Sequence, residues 1–71
     1  MLDKHTKRYL REQFGFMGEE ANAYEIGNLI NEADSDDDFI YLNSAADHVE
    51  DDFAKKMLKE QLFKKKNGVV R

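Results

Sequence analysis

The 71-residue chain contains no proline, and only four glycines interrupt its pattern of apolar residues. Because proline and glycine are the residues that most oppose an α-helix, long segments are free to be helical. Apolar residues recur at intervals of three and four, which places them on one face of a helix. Residues 39–42 also resemble a β-strand, but no second run of similar quality exists to pair with them. The sequence therefore predicts an all-α fold, a small three- to four-helix bundle forming one domain over residues 1–71.

Capping residues and glycines set the boundaries of the first two predicted helices. Asp3 is a suitable N-cap, because its short side chain can accept from the free amides of a first turn, and Gly15 ends the same helix. The predicted helices cover residues 3–14 and 19–33, and the second opens with two glutamates that suit the helix dipole. Gly27 lies inside the second helix, where it costs about 1 kcal/mol relative to alanine. It indicates either close approach of a neighbouring helix or a kink.

Ser35 and the three aspartates after it predict the start of a third helix. The serine hydroxyl would cap the first turn, and Asp38 would reach back to complete a capping box. Residues 36–66 then fit either one continuous helix or two helices with a bend near His48. We prefer two helices, because the aspartates after His48 suit a new first turn. The boundaries are then 36–47 and 50–66, followed by a short tail at 67–71.

Steps of three and four along residues 36–66 place the apolar residues of this segment on one helical face. The apolar positions that form it are Phe39, Leu42, Ala46, Val49, Phe53, Met57 and Leu62. Such a stripe normally faces the core of a bundle.

The small size of the chain limits its stability. A domain of this length buries only about 60% of the surface that its unfolded chain exposes, and its core supplies roughly 3–5 kcal/mol of net stability. With no cysteine, the chain has neither disulfides nor thiolate metal sites. Another protein surface, from a partner or a second copy, is the remaining source of stability. No apolar run is long enough for a membrane span or a secretory signal, so we expect a soluble, cytoplasmic protein.

Charge is sorted into three blocks along the chain. Residues 12–52 hold thirteen carboxylates and no lysine or arginine, whereas residues 1–11 carry a balance of +3 and residues 53–71 a balance of +6. The modest net charge of −4 conceals this arrangement. Part of the acidic block suits helix starts, but the complete absence of cations over 41 residues has no such explanation.

Catalytic and metal-binding patterns are weak. Ser44, Asp47 and His48 carry the right groups for a triad, but their local spacing on one helix does not build one. A calcium loop beginning at Asp34 lacks both the glycine at its sixth position and the glutamate at its twelfth. No glycine-rich phosphate loop is present. The sequence therefore predicts a protein that is not an enzyme and has no cofactor and no metal site.

Direct binding of nucleic acid is not favoured. The first two helices superficially resemble a helix-turn-helix, but the second carries glutamates and no cation, and these would repel phosphates. The lysine-rich segment 55–66 fits a solvated helix face better than a nucleic-acid site, although it leaves weak, nonspecific binding as an alternative.

Three interpretations of the acidic block stay open. In the first, the basic helices neutralise it within the molecule, although exposed pairs are each worth only about 0–1 kcal/mol. In the second, it docks on a basic protein, since complementary charge raises association rates and aromatic anchors supply binding energy. In the third, copies of the chain associate through their acidic and basic segments. The candidate anchors are Phe16, Met17, Tyr24 and Tyr41. The candidate acidic residues are Glu19, Glu20, Glu25, Glu32, Asp34, Asp36, Asp37, Asp38, Asp47, Glu50, Asp51 and Asp52.

The resulting hypothesis is a small acidic binding protein that docks on a basic partner through the face formed by residues 12–52. It would act as a regulator or inhibitor, and in its sharpest form as a nucleic-acid mimic of the type carried by phages and mobile elements, in the host cytoplasm. Its partner would then be a nucleic-acid-binding protein. The alternatives are a self-associating structural protein, with a homo-oligomer as its functional form, and a weak nucleic-acid-binding regulator.

Overall fold

A computed structural model describes residues 2–18, 20 and 22–68 of the chain. This part of the chain forms four α-helices and no strand, which confirms the predicted all-α bundle. The helices are α1 (Lys4–Phe14), α2 (Ala23–Glu32), α3 (Asp36–Asp47) and α4 (Asp52–Lys66).

The ends of α1 agree with the predicted signals, but α2 begins later than predicted. The Asp3 side chain accepts a hydrogen bond from the Thr6 amide, and Gly15 adopts a left-handed conformation with φ 73°. Asn22 caps α2 by accepting from the Glu25 amide at 3.1 Å. Because this cap fixes the start of the helix, Glu20 lies before α2 and not in its first turn. Glu19 lies outside the described residues.

A short turn at residues 48–51 separates α3 from α4, so the preferred two-helix interpretation is confirmed. Asp51 caps α4 by accepting from the Ala54 amide at 2.9 Å. The turn also resets the phase of the apolar stripe, because the residues after it no longer continue the helix before it. As a result, Leu58 and Leu62 are buried on α4. Phe53 and Met57, which belong to the same run of apolar residues, are exposed.

The central helix of the bundle is α3, which contacts α1, α2 and α4. The helices α1 and α3 are antiparallel: the Thr6 hydroxyl donates to the Ser44 hydroxyl at 3.1 Å, and the Tyr9 hydroxyl donates to Asp38 at 2.6 Å. Short connections reverse the chain on both sides of α3. Helices α1, α2 and α4 therefore run in one direction and α3 runs in the other.

The core lies where α3 meets these three neighbours. Its fully buried large apolar side chains are Leu10, Ile26, Ile30 and Leu42. Gly27 lies where α2 passes α4, and its carbonyl accepts a hydrogen bond from the Gln61 side chain at 3.1 Å. A Cβ at this position would lie 3.6 Å from Leu58 Cδ2, an ordinary van der Waals contact. The helices are close here, but their packing does not require glycine.

Candidate functional site

The acidic block divides into two groups at opposite ends of the bundle. We define the α3 cluster as Asp34, Asp36 and Asp37, which lie at the start of α3, and the turn cluster as Asp47, Glu50, Asp51 and Asp52, which lie around the turn between α3 and α4. Since α3 has 12 residues, the two clusters are about 18 Å apart at 1.5 Å per residue. The carboxylates therefore do not form one continuous face.

The folded chain brings a further carboxylate beside the turn cluster. A shallow cleft of about 380 Å³ lies between the start of α2 and the α3–α4 turn, and its lining includes Glu20, Ala23, Glu50 and Asp51. Tyr24 is the next residue after Ala23 and is 79% exposed. This end of the molecule thus combines several carboxylates with an exposed aromatic ring.

Part of the turn cluster has a structural role. Helices α1, α2 and α4 all begin at this end, and negative charge there is favoured by their dipoles. Asp51 is used as the cap of α4. Asp47 pairs with Lys59 across the α3–α4 contact at 2.5 Å, and the hydrogen bond from Lys59 holds the pKa of Asp47 below its usual value. Helix formation and packing therefore account for some of these charges but not for all of them.

Neutralisation within the molecule is limited in the part of the chain that the structure describes. Besides the Asp47–Lys59 pair, Arg8 contacts Glu12 at 3.4 Å on α1, and His48 lies 3.7 Å from Asp3. The Lys65 ammonium donates to the backbone carbonyl of Asn31 instead of pairing with a carboxylate. Among the described residues, no lysine or arginine nitrogen lies within 4.0 Å of the following exposed carboxylates: Glu25, Glu32, Asp34, Asp36, Asp37, Glu50, Asp51 and Asp52.

Asp38 does not belong to the acidic surface. Its side chain is fully buried, with Oδ1 accepting from the Tyr9 hydroxyl and Oδ2 from the Asp34 amide at 3.1 Å. Burial by itself raises the pKa of Asp38, but the hydrogen bonds from Tyr9 and Asp34 outweigh it and hold the pKa below its usual value. The same hydrogen bond, together with burial, raises the pKa of Tyr9 to about 12. The prediction of Asp38 as a partner-binding residue is therefore wrong.

The capping interaction at α3 also differs in one respect from the prediction. The Ser35 hydroxyl accepts from the Asp38 amide at 3.2 Å, as expected of an N-cap. The Asp38 carboxylate, however, reaches the amide of Asp34, one residue before the cap. Contact with α1 orients this carboxylate, because the Tyr9 hydroxyl donates a hydrogen bond to its other oxygen, Oδ1.

The four candidate aromatic and apolar anchors have different environments. Met17 and Tyr24 are 74% and 79% exposed, and both are accessible to a partner. Tyr41 is partly buried, and its ring stacks on Tyr9 with centroids 4.1 Å apart. Phe16 is buried in the core, where its ring covers Gly18, so its prediction as a surface anchor is wrong.

Four further large apolar side chains are exposed, although none of them was predicted from the sequence to be a partner-binding anchor. They are Ile40, Phe53, Met57 and Phe63. Two of them line a groove of about 340 Å³ between α3 and α4, together with Phe39 and Leu62. The signal that could have found three of them lies within α4: at 100° per residue, Phe53, Met57 and Phe63 fall on a different side of the helix from Leu58 and Leu62.

The residues considered for chemistry are separated or used structurally. The Ser44 hydroxyl accepts a hydrogen bond from the Thr6 hydroxyl. Among the described residues, no hydrogen bond joins Ser44 to His48. Within residues 2–18, 20 and 22–68, no three histidine, aspartate or glutamate side chains form a group suited to a metal ion. None of the helices found there is both long enough and apolar enough to cross a membrane.

Comparisons with protein-family models, with curated proteins and with solved structures give no match to this chain.

Proposed function

We propose that this chain is a non-enzymatic binding protein that docks on a basic surface of another protein and regulates or inhibits it. The supporting observation is the set of exposed carboxylates that have no lysine or arginine partner among the described residues. Such groups stay hydrated in the free protein and are available to cations of a partner. They create a negative field that attracts a basic surface before contact is made.

The turn cluster is the stronger half of this docking surface. Complementary charge raises the association rate, while binding energy comes mainly from buried aromatic anchors. Tyr24 supplies such an anchor, because it lies in the first turn of α2 at the same end of the bundle and has 79% of its surface to bury. The exposed ring at the end of the bundle that carries the α3 cluster is Phe63, which lines the groove between α3 and α4. We therefore assign the α3 cluster itself to steering the partner.

The finer form of the proposal is mimicry of nucleic acid. In this form the carboxylates occupy positions that phosphates take on the partner, so the partner is a nucleic-acid-binding protein. The separation of about 18 Å between the clusters equals roughly five steps along one DNA strand at 3.4 Å per step. A partner contacting both clusters would have to present two basic patches at that distance.

The proposal is tested by partner recovery from cell extract at low and high salt, using the wild-type chain and variants with matched charge changes. The variant Glu50→Gln/Asp52→Asn weakens the turn cluster without removing the Asp51 cap, and Asp36→Asn/Asp37→Asn weakens the α3 cluster. Lys4→Gln/Arg11→Gln changes two charges on α1 as a control. We expect both acidic variants to lower the association rate with the recovered partner by about tenfold at low salt, and the control to leave it unchanged or higher.

Tyr24→Ala separates anchoring from steering. We expect this variant to raise the dissociation rate with little effect on the association rate, because it removes a ring that becomes buried only in the complex. If no partner is recovered at low salt, or if all variants bind it equally, docking through the acidic surface is wrong. Mimicry alone is wrong if the partner binds labelled DNA or RNA equally well with and without the chain.

A further inference from the structure

Helix α4 exposes three large apolar side chains to solvent on its outer side. Phe53 and Phe63 are 72% and 68% exposed, and Met57 between them is half exposed. The opposite side of the same helix packs on the core through Leu58 and Leu62. Large apolar side chains grouped on one exposed helix face are typical of a contact surface.

The spacing of this outer face is that of a two-stranded helix pair. Phe53, Lys56, Glu60 and Phe63 follow one another at steps of three, four and three, the a–d–a–d spacing of a heptad. At 100° per residue these four positions fall within an arc of about 80°. Lys56 and Glu60 are exposed, and no ion pair joins them among the described residues. Lysine before glutamate at this spacing is the weaker orientation for a pair within one helix.

The outer face of α4 is complementary to the same face of a second copy that runs in the opposite direction. When two such helices run antiparallel, a positions of one face d positions of the other. Phe53 then meets Phe63 of the second copy, and Lys56 meets Glu60, all in a single register centred near residue 58. Beyond these layers, the acidic start of α4 at Asp52 approaches the lysines at the end of the other α4.

We propose that two copies of this chain associate antiparallel through the outer face of α4. The charges select this arrangement, because a parallel pair would place Lys56 beside Lys56 and Glu60 beside Glu60. It would also bring the lysines at the end of α4 together in both copies. This inference does not depend on the proposed docking function.

The groove between α3 and α4 fits the same arrangement. It lies beside Phe63 and is lined by Phe39 and Ile40, the latter being 60% exposed. In the antiparallel register, Phe53 of the second copy approaches Phe63 and can enter this groove. The apolar floor of the groove and the exposed ring of Phe53 are then both covered.

The size of the contact sets its strength. The 15 residues of α4 span about 22 Å, so the interface belongs to the small class below about 1,200 Å² of total buried surface. Proteins with such interfaces exchange between monomer and dimer as their concentration changes. We therefore expect a reversible dimer and not a permanent one.

Sedimentation equilibrium over a wide concentration range tests the dimer, using the 8.3 kDa chain and charge variants of it. We expect the mass to rise toward twice the monomer value. K56E and E60K each place like charges opposite each other in both central layers, and each should weaken association at least tenfold. The double variant K56E/E60K restores opposite charges and should recover the wild-type association constant. A wild-type chain that stays monomeric, or a double variant as weak as the single ones, overturns the proposal.

Cysteine crosslinking tests the register independently, because the natural chain has no cysteine background. Met57 lies close to the two-fold axis of the proposed dimer, so M57C should form a disulfide-linked dimer under mild oxidation. M17C is the matched control, since Met17 is also exposed but lies outside α4. Circular dichroism checks that both variants keep the helical fold. Equal crosslinking of the two variants contradicts the α4 interface.

Discussion

The hydrogen bond between Tyr9 and Asp38 joins α1 to the start of α3, and its removal by Tyr9→Phe gives a sharp test of the fold. The phenol oxygen lies 2.6 Å from Oδ1 of a carboxylate with no solvent exposure. A hydrogen bond to a charged group is worth about 1.5–3 kcal/mol, and a buried carboxylate that loses a donor cannot recover it from water. We expect Tyr9→Phe to lower the free energy of unfolding by about 1.5–3 kcal/mol at pH 7.

This loss is large for a chain of this size. With an unfolding entropy of about 2.1 cal/mol/K per residue, 71 residues give about 150 cal/mol/K, so the midpoint of thermal unfolding should fall by about 10–20 °C. Thermal and urea unfolding followed by circular dichroism measure both quantities. Tyr41→Phe is the matched control. Its ring stacks on Tyr9, but its hydroxyl forms no hydrogen bond among the described residues, so we expect a change below about 0.5 kcal/mol.

The pH dependence gives a second measurement of the same bond. Folding raises the pKa of Tyr9 to about 12, so the wild-type chain keeps this stabilisation below pH 10 and loses it as the pH rises toward 12. Folding lowers the pKa of Asp38, so its contribution is present above about pH 4 and is lost as the pH falls through the lowered pKa. The stability difference between wild type and Tyr9→Phe should therefore be largest near neutral pH. Equal stability of Tyr9→Phe and Tyr41→Phe at pH 7 would refute this reasoning.

Further predictions concern packing and capping. Gly27→Ala should raise the free energy of unfolding by up to about 1 kcal/mol, because the new Cβ makes ordinary contacts and alanine favours the helix. A lower urea midpoint would contradict this, since it would mean that the new Cβ is closer to Leu58 Cδ2 than the 3.6 Å seen here. Phe16→Ala should lower the free energy of unfolding by about 3–5 kcal/mol and leave much of the chain unfolded, because Phe16 is buried. Phe53→Ala should change the free energy of unfolding by less than about 0.5 kcal/mol at concentrations where the chain is monomeric, because Phe53 is exposed. Ser35→Ala removes the acceptor for the Asp38 amide and should cost about 1 kcal/mol in urea unfolding; an unchanged midpoint would contradict a capping role.

The acidic block illustrates how much of the candidate site could be predicted from sequence. The absence of cations between residues 12 and 52 is visible without a structure. Its division into the α3 cluster and the turn cluster follows from the length of α3, which separates them. The approach of Glu20 to the turn cluster is not visible from sequence, because it depends on how the start of α2 packs against the α3–α4 turn. Burial of Asp38 is equally hidden, since the donor that satisfies it is 29 residues away on α1.

The class of the fold, a bundle of three to four helices, and most of the helix ends can be predicted from the amino-acid sequence alone. Asp3, Gly15 and Ser35 act on amides and carbonyls a few residues away, so their effect is encoded locally. The 3.6-residue period likewise identifies a buried face as long as the helix is continuous.

Which side chains are buried depends on the tertiary structure. Phe16 and Phe53 are the same residue type, yet the core encloses the first and solvent surrounds the second. The break at residues 48–51 changed the phase of α4, and the position of α3 among three helices fixed which faces have a neighbour. Burial is a property of contacts between residues far apart in the chain, and local pattern cannot specify those contacts.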